Sequence, residues 1–452
     1  MKRLKKFMFN TILLIISSLF FRVVSLFFNI YISNKIGSEA LGVFSLIMSV
    51  YMFGITFACS GINIATTKVV AEELSLSGKE SAKQIANKCI KISFITGILA
   101  SFLFFIFSDS ITSKFLHNKI SINVIYLIAF VLPFISMSAS INGYFAGISK
   151  IHKNVSSKFL EQVIKIFSTA YLLSLFLPGT LDYACYALIL GDVISEIGSF
   201  IYSVFLYYFD NKYIYRKNEF CSLRLSGTPA PTTFVNRILS ISIPIALTSY
   251  IRSGLSTSKQ LLIPYTLEKS GLDCSSAFEK IGIINGMAMP IIMFAGIFIT
   301  SFSELLIPEF SRYYAKKDFK RAKIITKFLL IFTSISCTFI TIILFLLSKR
   351  LGIIFYNNLE VSFYIKILSP LFVLMFVDNV IDSILKGLNK QVPIMWVNII
   401  DLFSSIILIY VFVPKLGVTG YIISLFFSEI LNFVLSSFVL YKNFKNIGRH
   451  YV

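Results

Sequence analysis

A long apolar segment near the start of the sequence constrains the fold more than any other feature. It runs from Phe7 to Asn34 and contains a single charged residue, Arg22. An apolar helix of about 20 residues is long enough to cross the hydrocarbon core of a bilayer. Basic residues at positions 2, 3, 5 and 6 favour a cytosolic location for the preceding end. The segment is therefore predicted to be a membrane-spanning helix, since it is too long for a signal peptide and no small-residue cleavage site closes it.

Arg22 lies deep within this segment. At a rise of about 1.5 Å per residue, it is expected roughly 20 Å above Phe9, near the middle of the membrane or slightly past it. An arginine at that depth costs about 2.5 to 3.5 kcal/mol on insertion scales. Its side chain must therefore face another helix or a watery cavity, because lipid cannot solvate it.

The composition extends the membrane prediction to the whole chain. Its 452 residues are 56% hydrophobic and only 14% charged, which is typical of a polytopic membrane protein. The net charge of +20 would suggest a nucleic-acid partner in a soluble protein, but lysine-rich cytosolic loops facing anionic lipid explain it better. The six cysteines form no C-x-x-C pair and the three histidines are far apart, so neither a metal site nor a cofactor is predicted.

Twelve apolar segments are predicted to span the membrane. In chain order, spans 1 to 12 are residues 9–33, 42–66, 92–111, 123–147, 159–178, 183–208, 238–263, 281–304, 324–347, 363–385, 392–413 and 418–440. If the N-terminus is inside, the cytosolic segments hold 30 Lys and Arg residues and the opposite loops hold 8. This asymmetry favours an even number of spans with both termini in the cytoplasm.

The longest cytosolic segment divides the chain into two predicted domains of six spans each. Residues 209–237 contain Gly227, Pro229 and Pro231, which indicate a turn-rich linker. The N-terminal six-helix bundle is predicted to occupy residues 1–208 and the C-terminal one residues 238–452.

The two halves look like repeats. Short motifs of the first half recur in the second at offsets of 233 to 240 residues: Gly147-Ile-Ser-Lys150 as Gly387-Leu-Asn-Lys390, Glu161 as Asp401, and Ser195-Glu196-Ile197 as Ser428-Glu429-Ile430. With equal numbers of helices in the halves, these matches favour duplication, with parallel repeats about an axis along the membrane normal.

Span 7 carries two further cations. Arg252 lies roughly 21 Å above the start of that span, a depth that matches Arg22, and Lys259 follows seven residues later on the same helical face. These three side chains are predicted to contact substrate. The alternative is a structural ion pair with a buried acid, for which the candidates are Glu196, Glu429, Asp401 and Asp378.

Span 10 carries acids at helical spacing. Asp382 and Lys386 are one turn apart and are predicted to form an internal ion pair. Asp378 lies deeper and is a candidate proton or sodium site, or else a satisfied structural carboxylate. Glu196 and Glu429 are further candidates for ion coupling.

Helix breakers in or beside the spans are predicted to produce kinks, or to let helices 7 and 8 bend during transport: Pro244, Pro264, Pro290, Pro308, Pro370, Gly286 and Gly296.

The sequence contains none of three common motifs that mark ATPases, zinc proteases and serine hydrolases. It contains no G-x-x-x-x-G-K-[ST] loop, no H-E-x-x-H and no G-x-S-x-G, so no ATPase or hydrolase centre and no catalytic residue is predicted. The chain is interpreted as a transporter and not as an enzyme. Its energy would have to come from an ion gradient, the membrane potential or the gradient of the substrate.

Two stretches carry a resemblance to a known family. Asn34-Lys-Ile-Gly-Ser-Glu-Ala-Leu-Gly-Val-Phe-Ser45, followed by Thr66-Thr-Lys-Val-Val-Ala-Glu72, resembles the signature of polysaccharide and oligosaccharide flippases in the multidrug/oligosaccharidyl-lipid/polysaccharide (MOP) exporter superfamily. Ile281–Tyr314, with Gly286-Met-Ala-Met-Pro290 and Leu306-Ile-Pro-Glu-Phe-Ser311, looks most like the stage V sporulation protein B branch, which is related to the lipid II flippases. Those flippases often carry fourteen helices, whereas twelve are predicted here.

The resemblance implies a fold, a substrate and a location. The fold would be all-α and MATE-like, with two six-helix bundles around a cavity lined by helices 1, 2, 7 and 8. An undecaprenyl-pyrophosphate saccharide or peptidoglycan precursor would place its diphosphate on Arg22 and Arg252. Its sugars would contact Asn63, Ser256 and Asn285. The protein would act as a monomer in the bacterial cytoplasmic membrane, by alternating access, with H⁺ or Na⁺ as a candidate coupling ion.

Three other functions are weighed against this one. A cation-coupled multidrug extruder of the same fold would be expected to have an acidic cavity, whereas the charge in span 1 is basic. A membrane-embedded glycan polymerase or transferase would need acids near the outer surface and a substantial outer loop, and the predicted outer loops are short. A non-transporting scaffold would leave the buried arginines of the two lead helices unexplained.

Overall fold

The computed structural model describes residues 2–76, 78–115, 120–176, 179–215 and 234–450, and within those ranges the regular structure is entirely helical. Short π-helical turns occupy Ile111–Phe115 and Gly282–Ala288. The α-helices, in chain order, are α1 Lys2–Cys59, α2 Ile62–Leu76, α3 Gly78–Ser110, α4 Ile122–Gly147, α5 Ile151–Phe176, α6 Leu181–Tyr215, α7 Phe234–Lys269, α8 Cys274–Ile281, α9 Met289–Ala295, α10 Ile297–Ala315, α11 Phe319–Tyr356, α12 Leu359–Leu368, α13 Leu371–Gly387, α14 Gln391–Leu416 and α15 Val418–His450.

The predicted all-α, polytopic architecture is confirmed. Nine helical segments of the described ranges are long and apolar enough to cross a membrane, and a tenth is added if the pair α12 and α13, bent by 50°, is one span. The number is below twelve because a single segment, Ile16–Leu76, contains spans 1 and 2. In addition, α7, which contains span 7, is not among these segments. Between Arg252 and Gln260 that helix is rich in charged and hydroxyl side chains.

Several stretches predicted as loops are helical. The loop after span 1 continues α1 except at Gly37, where φ is 81° and ψ is 173°. Span 2 is interrupted at Gly61, with φ of 78°, and its helix resumes as α2 to Leu76. Glycine adopts this left-handed region without a Cβ penalty. The predicted cytosolic loop after span 2 is therefore helical over most of its length, since α2 extends to Leu76 and α3 begins at Gly78.

Only some of the prolines that were predicted to kink helices coincide with a break in the structure. α7 runs without interruption across Pro244 and Pro264, and α10 across Pro308. Pro370 lies in the connection between α12 and α13, where the chain bends by 50°. Pro290 follows the π-helical turn, and the helix is interrupted six residues later at Gly296. A proline cannot donate to the helical ladder, but the observed break is at the glycine.

The chain forms two compact units. The first comprises Met1–Ser17 and Ile47–Gly254, and the second Ser18–Leu46 and Leu255–Val452. Most of the apolar segment around Arg22 thus packs within the same unit as the C-terminal helices. The predicted linker lies partly in α6 and α7 and otherwise, at residues 216–233, outside the described residues. The predicted division into bundles 1–208 and 238–452 stays a prediction.

The first unit is held together by close helix packing. α3 packs on α2 and α4, and α6 packs on α4 and α5. A Cβ built on Gly143 of α4 would lie 2.8 Å from the carbonyl oxygen of Asn63 in α2. Small residues at such crossings let helix backbones approach in a membrane, where van der Waals contact replaces the hydrophobic effect as the main source of association.

The second unit contains an even closer crossing. A Cβ on Gly42 of α1 would lie 1.9 Å from the carbonyl oxygen of Phe278, and one on Gly282 would lie 1.8 Å from that of Ser38. The C-terminal helices pack as α10 on α13, α11 on α12 and α13, and α15 on α13 and α14. These two glycines let α1 pack closely against the start of the π-helical turn. The same helix, α1, carries Arg22.

The ends of α4 and α13, which align in the predicted repeat, have the same backbone conformation. Ser149 and Asn389, which align at the offset of 240, adopt left-handed φ values of 57° and 59°. The next residue donates its N–H to the carbonyl five residues back in both cases, at 2.8 Å for Lys150 and 2.9 Å for Lys390. Both helices therefore end in the same turn, but α10 ends in it as well, at Lys317 with φ of 55°, so the predicted duplication stays a prediction.

Candidate functional site

A cavity of about 410 Å³ lies within the second unit, beside the part of α1 that belongs to it. One wall comes from α1 and the other from α9 and α10, with one ring from α13. The lining residues are Phe21, Arg22, Ser25, Leu26, Asn29, Pro290, Met293, Phe294, Ile297, Thr300 and Phe376.

Arg22 supplies the charge of this cavity. Its Nη1 donates a hydrogen bond to Oγ1 of Thr300, and its Nη2 lies 3.5 Å from Oε1 of Glu304. The side chains of Arg22 and Glu304 are 40% and 56% exposed, and an ion pair this exposed contributes about 0 to 1 kcal/mol. The guanidinium is therefore oriented by α10 but only weakly neutralised.

The remaining walls are mostly apolar. Helical spacing places Arg22, Leu26 and Asn29 on one face of α1, and the lining residues of α9 and α10 recur at the same spacing. Oδ1 of Asn29 is buried and has no hydrogen-bond partner within the described part of the chain. The cavity thus combines one cation and a few amide and hydroxyl groups with an apolar surface, which suits an amphiphile with an anionic group.

The break at Gly296 shapes the far wall. A Cβ on Gly296 would lie 1.9 Å from Cζ of Phe376, so the glycine makes room for that ring, which is 3% exposed. The hydroxyl of Thr300 donates to the carbonyl of Ile297 at 2.8 Å. Thr300 can therefore accept from Arg22 while its own proton stays bonded to the first turn of α10.

The first unit holds two of the predicted substrate contacts. Arg252 in α7 is exposed and, within the part of this unit that the structure describes, makes no hydrogen bond or ion pair. Its neighbour Ser253 bonds Oγ1 of Thr56 at 3.3 Å. Asn63 in α2 is exposed, and its carbonyl accepts from Oγ1 of Thr67 at 2.8 Å. Both side chains are accessible to a ligand.

The other three belong to the second unit. Ser256 is exposed and Lys259 is half-buried, with Asp401 and Glu429 as its electrostatic partners. For Lys259, these partners favour the alternative interpretation, a structural interaction with buried acids. Asn285 lies in the π-helical turn, where its Oδ1 accepts from Tyr421 at 2.9 Å and its Nδ2 lies 3.5 Å from Gln260. Both polar atoms of Asn285 are engaged within the protein.

Glu196 lies in a mixed cluster of charges between α5 and α6. The two lysines of this cluster are paired, Lys158 with Glu161 and Lys165 with Asp192, both at 2.7 Å. Glu196 is half-buried and in the field of all four residues. The acids outnumber the lysines by one, which leaves one negative charge in the cluster when all groups are ionised.

The corresponding cluster of the second unit has fewer charged residues but the same excess of one acid, since Asp401 and Glu429 face Lys259. Ser428 donates to Oδ1 of Asp401 at 2.6 Å and accepts from Ser405 at 2.7 Å. Glu429 lies in the field of Asp401 and Lys259. At the offsets of the repeat, Ser405 and Leu425 stand where the first unit has the pair Lys165 and Asp192.

Asp378 is buried beside α15. It is 7% exposed, and its Oδ2 accepts from Nδ2 of Asn432 at 2.8 Å. The predicted pair one turn further on is confirmed, since Nζ of Lys386 lies 3.6 Å from Oδ2 of Asp382. Asp378 thus has a neutral amide partner, whereas Asp382 has a cation.

The sequence did not reveal the partners of Arg22. Every acid considered for an ion pair lay in spans 6, 10, 11 or 12, whereas the structure brings Glu304 of α10 to Arg22. Glu304 is the last residue of span 8, and an acid inside an apolar segment is costly. That cost, together with Thr300 one turn earlier, is the signal that could have identified the pair.

Comparison with known proteins identifies the family. A family model described as "Polysaccharide biosynthesis protein" matches residues 7–314, and one described as "MatE" matches residues 285–411. Stage V sporulation protein B of Bacillus subtilis (strain 168) is 23% identical over 416 residues, which cover 92% of this chain and 79% of that protein. Sporulation protein YkvU of the same organism is 21% identical over 430 residues, which cover 90% and 88%.

Solved structures share the fold. A multidrug resistance MATE family transporter of the MOP superfamily, in an inward-facing conformation, superimposes with a TM-score of 0.75 at 14% identity and covers 96% of both chains. The predicted MATE-like fold and the resemblance to the MOP superfamily are confirmed. The chain belongs to the polysaccharide biosynthesis protein family and is a multi-pass membrane transporter of the flippase type.

Proposed function

We propose that the protein moves an undecaprenyl-pyrophosphate-linked oligosaccharide or peptidoglycan precursor from the inner to the outer leaflet of the bacterial cytoplasmic membrane. The observation that carries this proposal is Arg22, a weakly neutralised arginine in a cavity with mainly apolar walls. A planar guanidinium can hold two phosphate oxygens at once and stays charged when it is desolvated. The apolar lining suits the adjoining polyprenyl carbons.

Each of the other predicted substrate contacts is matched to the part of the substrate that its side-chain chemistry suits. Arg252 is exposed and would bind the same diphosphate in another stage of the cycle, while Asn63 and Ser256 offer polar groups to the sugars. Lys259 and Asn285 are engaged with neighbouring side chains, so their contribution to binding would require those contacts to exchange. Transport would follow alternating access, with two helical bundles moving about the site, in a monomer with both termini in the cytoplasm.

Ion coupling is proposed for the buried acids. Asp378 has the simplest environment, because its nearest partner is the neutral amide of Asn432, so uptake of H⁺ or Na⁺ would change its charge without breaking an ion pair. A lysine is in the field of each acid, Lys386 at Asp378, Lys158 and Lys165 at Glu196, and Lys259 at Glu429, but Lys386 is itself paired with Asp382. We therefore rank Asp378 first among the three.

The sporulation proteins among the relatives support a more specific role. Stage V sporulation protein B and YkvU both match over most of their length. A role in the synthesis of the spore cortex or the cell wall is consistent with a peptidoglycan precursor as substrate.

Cation-coupled multidrug extrusion is the second candidate. It is favoured by the match of residues 285–411 to the MatE family model and by the multidrug transporters that share the fold. Against it, the charged side chain among the described residues that line the cavity is Arg22, which a cationic drug would meet there, and the nearby carboxylate of Glu304 is already the partner of Arg22.

Reconstitution in liposomes tests the proposal. Wild type, Arg22→Ala and Arg252→Ala would be compared for the movement of a fluorescent undecaprenyl-pyrophosphate saccharide between leaflets. Arg312→Ala is the matched control, because Arg312 lies in an exposed pair with Glu309 on the same helix as Thr300. We expect at least a tenfold loss of transport for the first two variants, equal membrane abundance for all, and no change for Arg312→Ala.

Two outcomes would contradict the proposal. Normal transport by a folded Arg22→Ala variant would remove the residue from the substrate path. Accumulation of an organic cation by the wild type under a proton or sodium gradient, without movement of any lipid-linked saccharide, would favour the extruder.

A further inference from the structure

The cavity beside Arg22 offers few polar groups to a ligand. The polar residues of its described lining are Arg22, Ser25, Asn29 and Thr300. Nη1 of Arg22 donates to the hydroxyl of Thr300, which itself donates to the carbonyl of Ile297. Oδ1 of Asn29 is shielded from solvent, so an incoming ligand does not reach it in this conformation. Arg22 therefore dominates the polar chemistry of the cavity.

A saccharide would be poorly solvated in this cavity. Each sugar ring carries several hydroxyl groups, and a hydroxyl that leaves water without gaining a new hydrogen bond loses free energy. The volume of about 410 Å³ is also near the small end of the range for ligand pockets, about 300 to 1,000 Å³. The cavity therefore suits the diphosphate and the first prenyl carbons, while the sugars stay outside it. Neither Asn63 nor Ser256, the proposed sugar contacts, is among its described lining residues.

The part of the substrate that suits the cavity is also present in a lipid without sugar. Such a lipid is formed by any reaction that transfers the transported saccharide to an acceptor. The acceptor hydroxyl attacks the anomeric carbon of the first sugar and loses its proton. The bond from that carbon to the diphosphate oxygen breaks, and the diphosphate keeps the electron pair. Polyprenyl diphosphate is then left in the leaflet into which the transporter releases its substrate.

Loss of the sugar changes the charge of the ligand, because the freed terminal phosphate can ionise once more. Arg22 attracts this additional negative charge. The carboxylate of Glu304, whose Oε1 lies 3.5 Å from Nη2 of Arg22, repels it. The two effects oppose each other at nearly the same place, so the additional charge is expected to change the affinity little.

We propose that sugar-free polyprenyl diphosphate is a second ligand of this cavity and competes there with the lipid-linked saccharide. The inference rests on the proposed function and deepens it, since it adds regulation at the same site. Transport would slow when the reaction that uses the saccharide leaves its carrier lipid unprocessed in the outer leaflet. Removal of the terminal phosphate from that lipid would relieve the inhibition.

Competition in liposomes tests this inference. The full chain would be reconstituted in phosphatidylcholine with a fluorescent undecaprenyl-diphosphate saccharide, and unlabelled undecaprenyl diphosphate would be titrated into the membrane. We expect half-inhibition of transport within about a 25-fold excess of the competitor. This limit follows if Asn63 and Ser256 each add one hydrogen bond to the sugar-linked lipid, each worth about fivefold in affinity.

Two other lipids serve as matched competitors. Undecaprenol has the same chain as undecaprenyl diphosphate but no anion for Arg22. Phosphatidylglycerol supplies negative surface charge from a single phosphate, which carries less charge for the guanidinium than a diphosphate does. Neither lipid should inhibit transport at the mole fraction at which undecaprenyl diphosphate does.

Binding to the full chain in nanodiscs separates the cavity from the sugar contacts. Arg22→Ala should weaken the sugar-linked and the sugar-free lipid by about tenfold each, because both place their diphosphate on Arg22. Ser256→Ala should weaken the sugar-linked lipid alone, by about fivefold. Ser258→Ala is the matched control, at another exposed serine of α7, and should leave both affinities unchanged.

The outcomes separate this inference from the proposed function. Saccharide transport that persists in roughly a hundredfold excess of undecaprenyl diphosphate would overturn the inference and leave the proposed function intact. Equal inhibition by either control lipid, or an effect of Arg22→Ala on the sugar-linked lipid alone, would also overturn it. Binding of undecaprenyl diphosphate without movement of any lipid-linked saccharide would instead overturn the proposed function. Failure of both lipids to bind would overturn both.

Discussion

At the scale of single residues, the pair of Lys165 and Asp192 shows how charge is carried inside a helical unit. Asp192 is 4% exposed, and its Oδ1 lies 2.7 Å from Nζ of Lys165. Lys165→Met should lower the free energy of unfolding by about 3 kcal/mol, because it leaves a buried carboxylate without its cation. Thermal unfolding in detergent measures the loss.

A neighbouring lysine on the same helix provides the control. Lys158 pairs with Glu161 at the same distance, but its side chain is 54% exposed, so Lys158→Met should cost about 1 kcal/mol or less. Adding Asp192→Asn to Lys165→Met should recover most of the loss, since the uncompensated charge is then gone. Equal losses for the two lysine variants, or no recovery in the double variant, would contradict this explanation.

Single residues also show what the sequence can predict about a site. The depth of Arg22 followed from helical rise alone, and the need for a non-lipid neighbour followed from its charge. Its partners could not be identified in this way, because Thr300 and Glu304 lie about 280 positions away and only tertiary packing brings them together. For Asn285, the amide was visible in the sequence, but its bond to Tyr421 was not.

At the scale of helices, the crossing of α1 with the π-helical turn depends on glycine. The Cβ of an alanine at position 282 would lie 1.8 Å from the carbonyl oxygen of Ser38, and a backbone atom cannot rotate away. Gly282→Ala should therefore destabilise the protein by about 3 kcal/mol or more, seen as a lower melting temperature and reduced abundance in the membrane.

Gly254→Ala is the matched control for this variant. Gly254 also lies within a helix, but its Cβ would meet only Cε2 of Phe53, at 3.7 Å, which is ordinary contact. This variant should be neutral or should gain up to about 1 kcal/mol from helix propensity. A melting temperature of Gly282→Ala equal to that of Gly254→Ala would show that the helices are not in contact as described.

Helix positions were more predictable than helix breaks. The apolar runs placed the membrane helices, and the motif shared by Gly147–Lys150 and Gly387–Lys390 correctly indicated equivalent helix ends. The break at Gly61 was not predicted, because the sequence around it is as apolar as a continuous span. Its left-handed φ depends on local backbone geometry, which hydropathy does not report.

At the scale of the whole molecule, the distribution of basic residues predicts a topology that the fold alone does not determine. The excess of Lys and Arg in alternate loops puts the turn at 386–390 in the cytosol and the loop at 348–362 outside. The bent pair α12 and α13 lies between these two positions. If it crosses the membrane as a broken span, the two ends lie on opposite sides. If it is a re-entrant loop, they lie on the same side.

Two asparagines allow this topology to be tested with matched variants. Asn357 and Asn389 both follow a helix, have left-handed φ values of 47° and 59°, and are exposed. In a background without the six native cysteines, Asn357→Cys should react with a membrane-impermeant maleimide in intact cells, and Asn389→Cys only after the membrane is permeabilised. The equal backbone cost of the two substitutions removes folding as an explanation for a difference between them. Labelling of both variants from the same side would show that α12 and α13 form a re-entrant loop, and labelling of Asn389→Cys alone in intact cells would invert the predicted orientation.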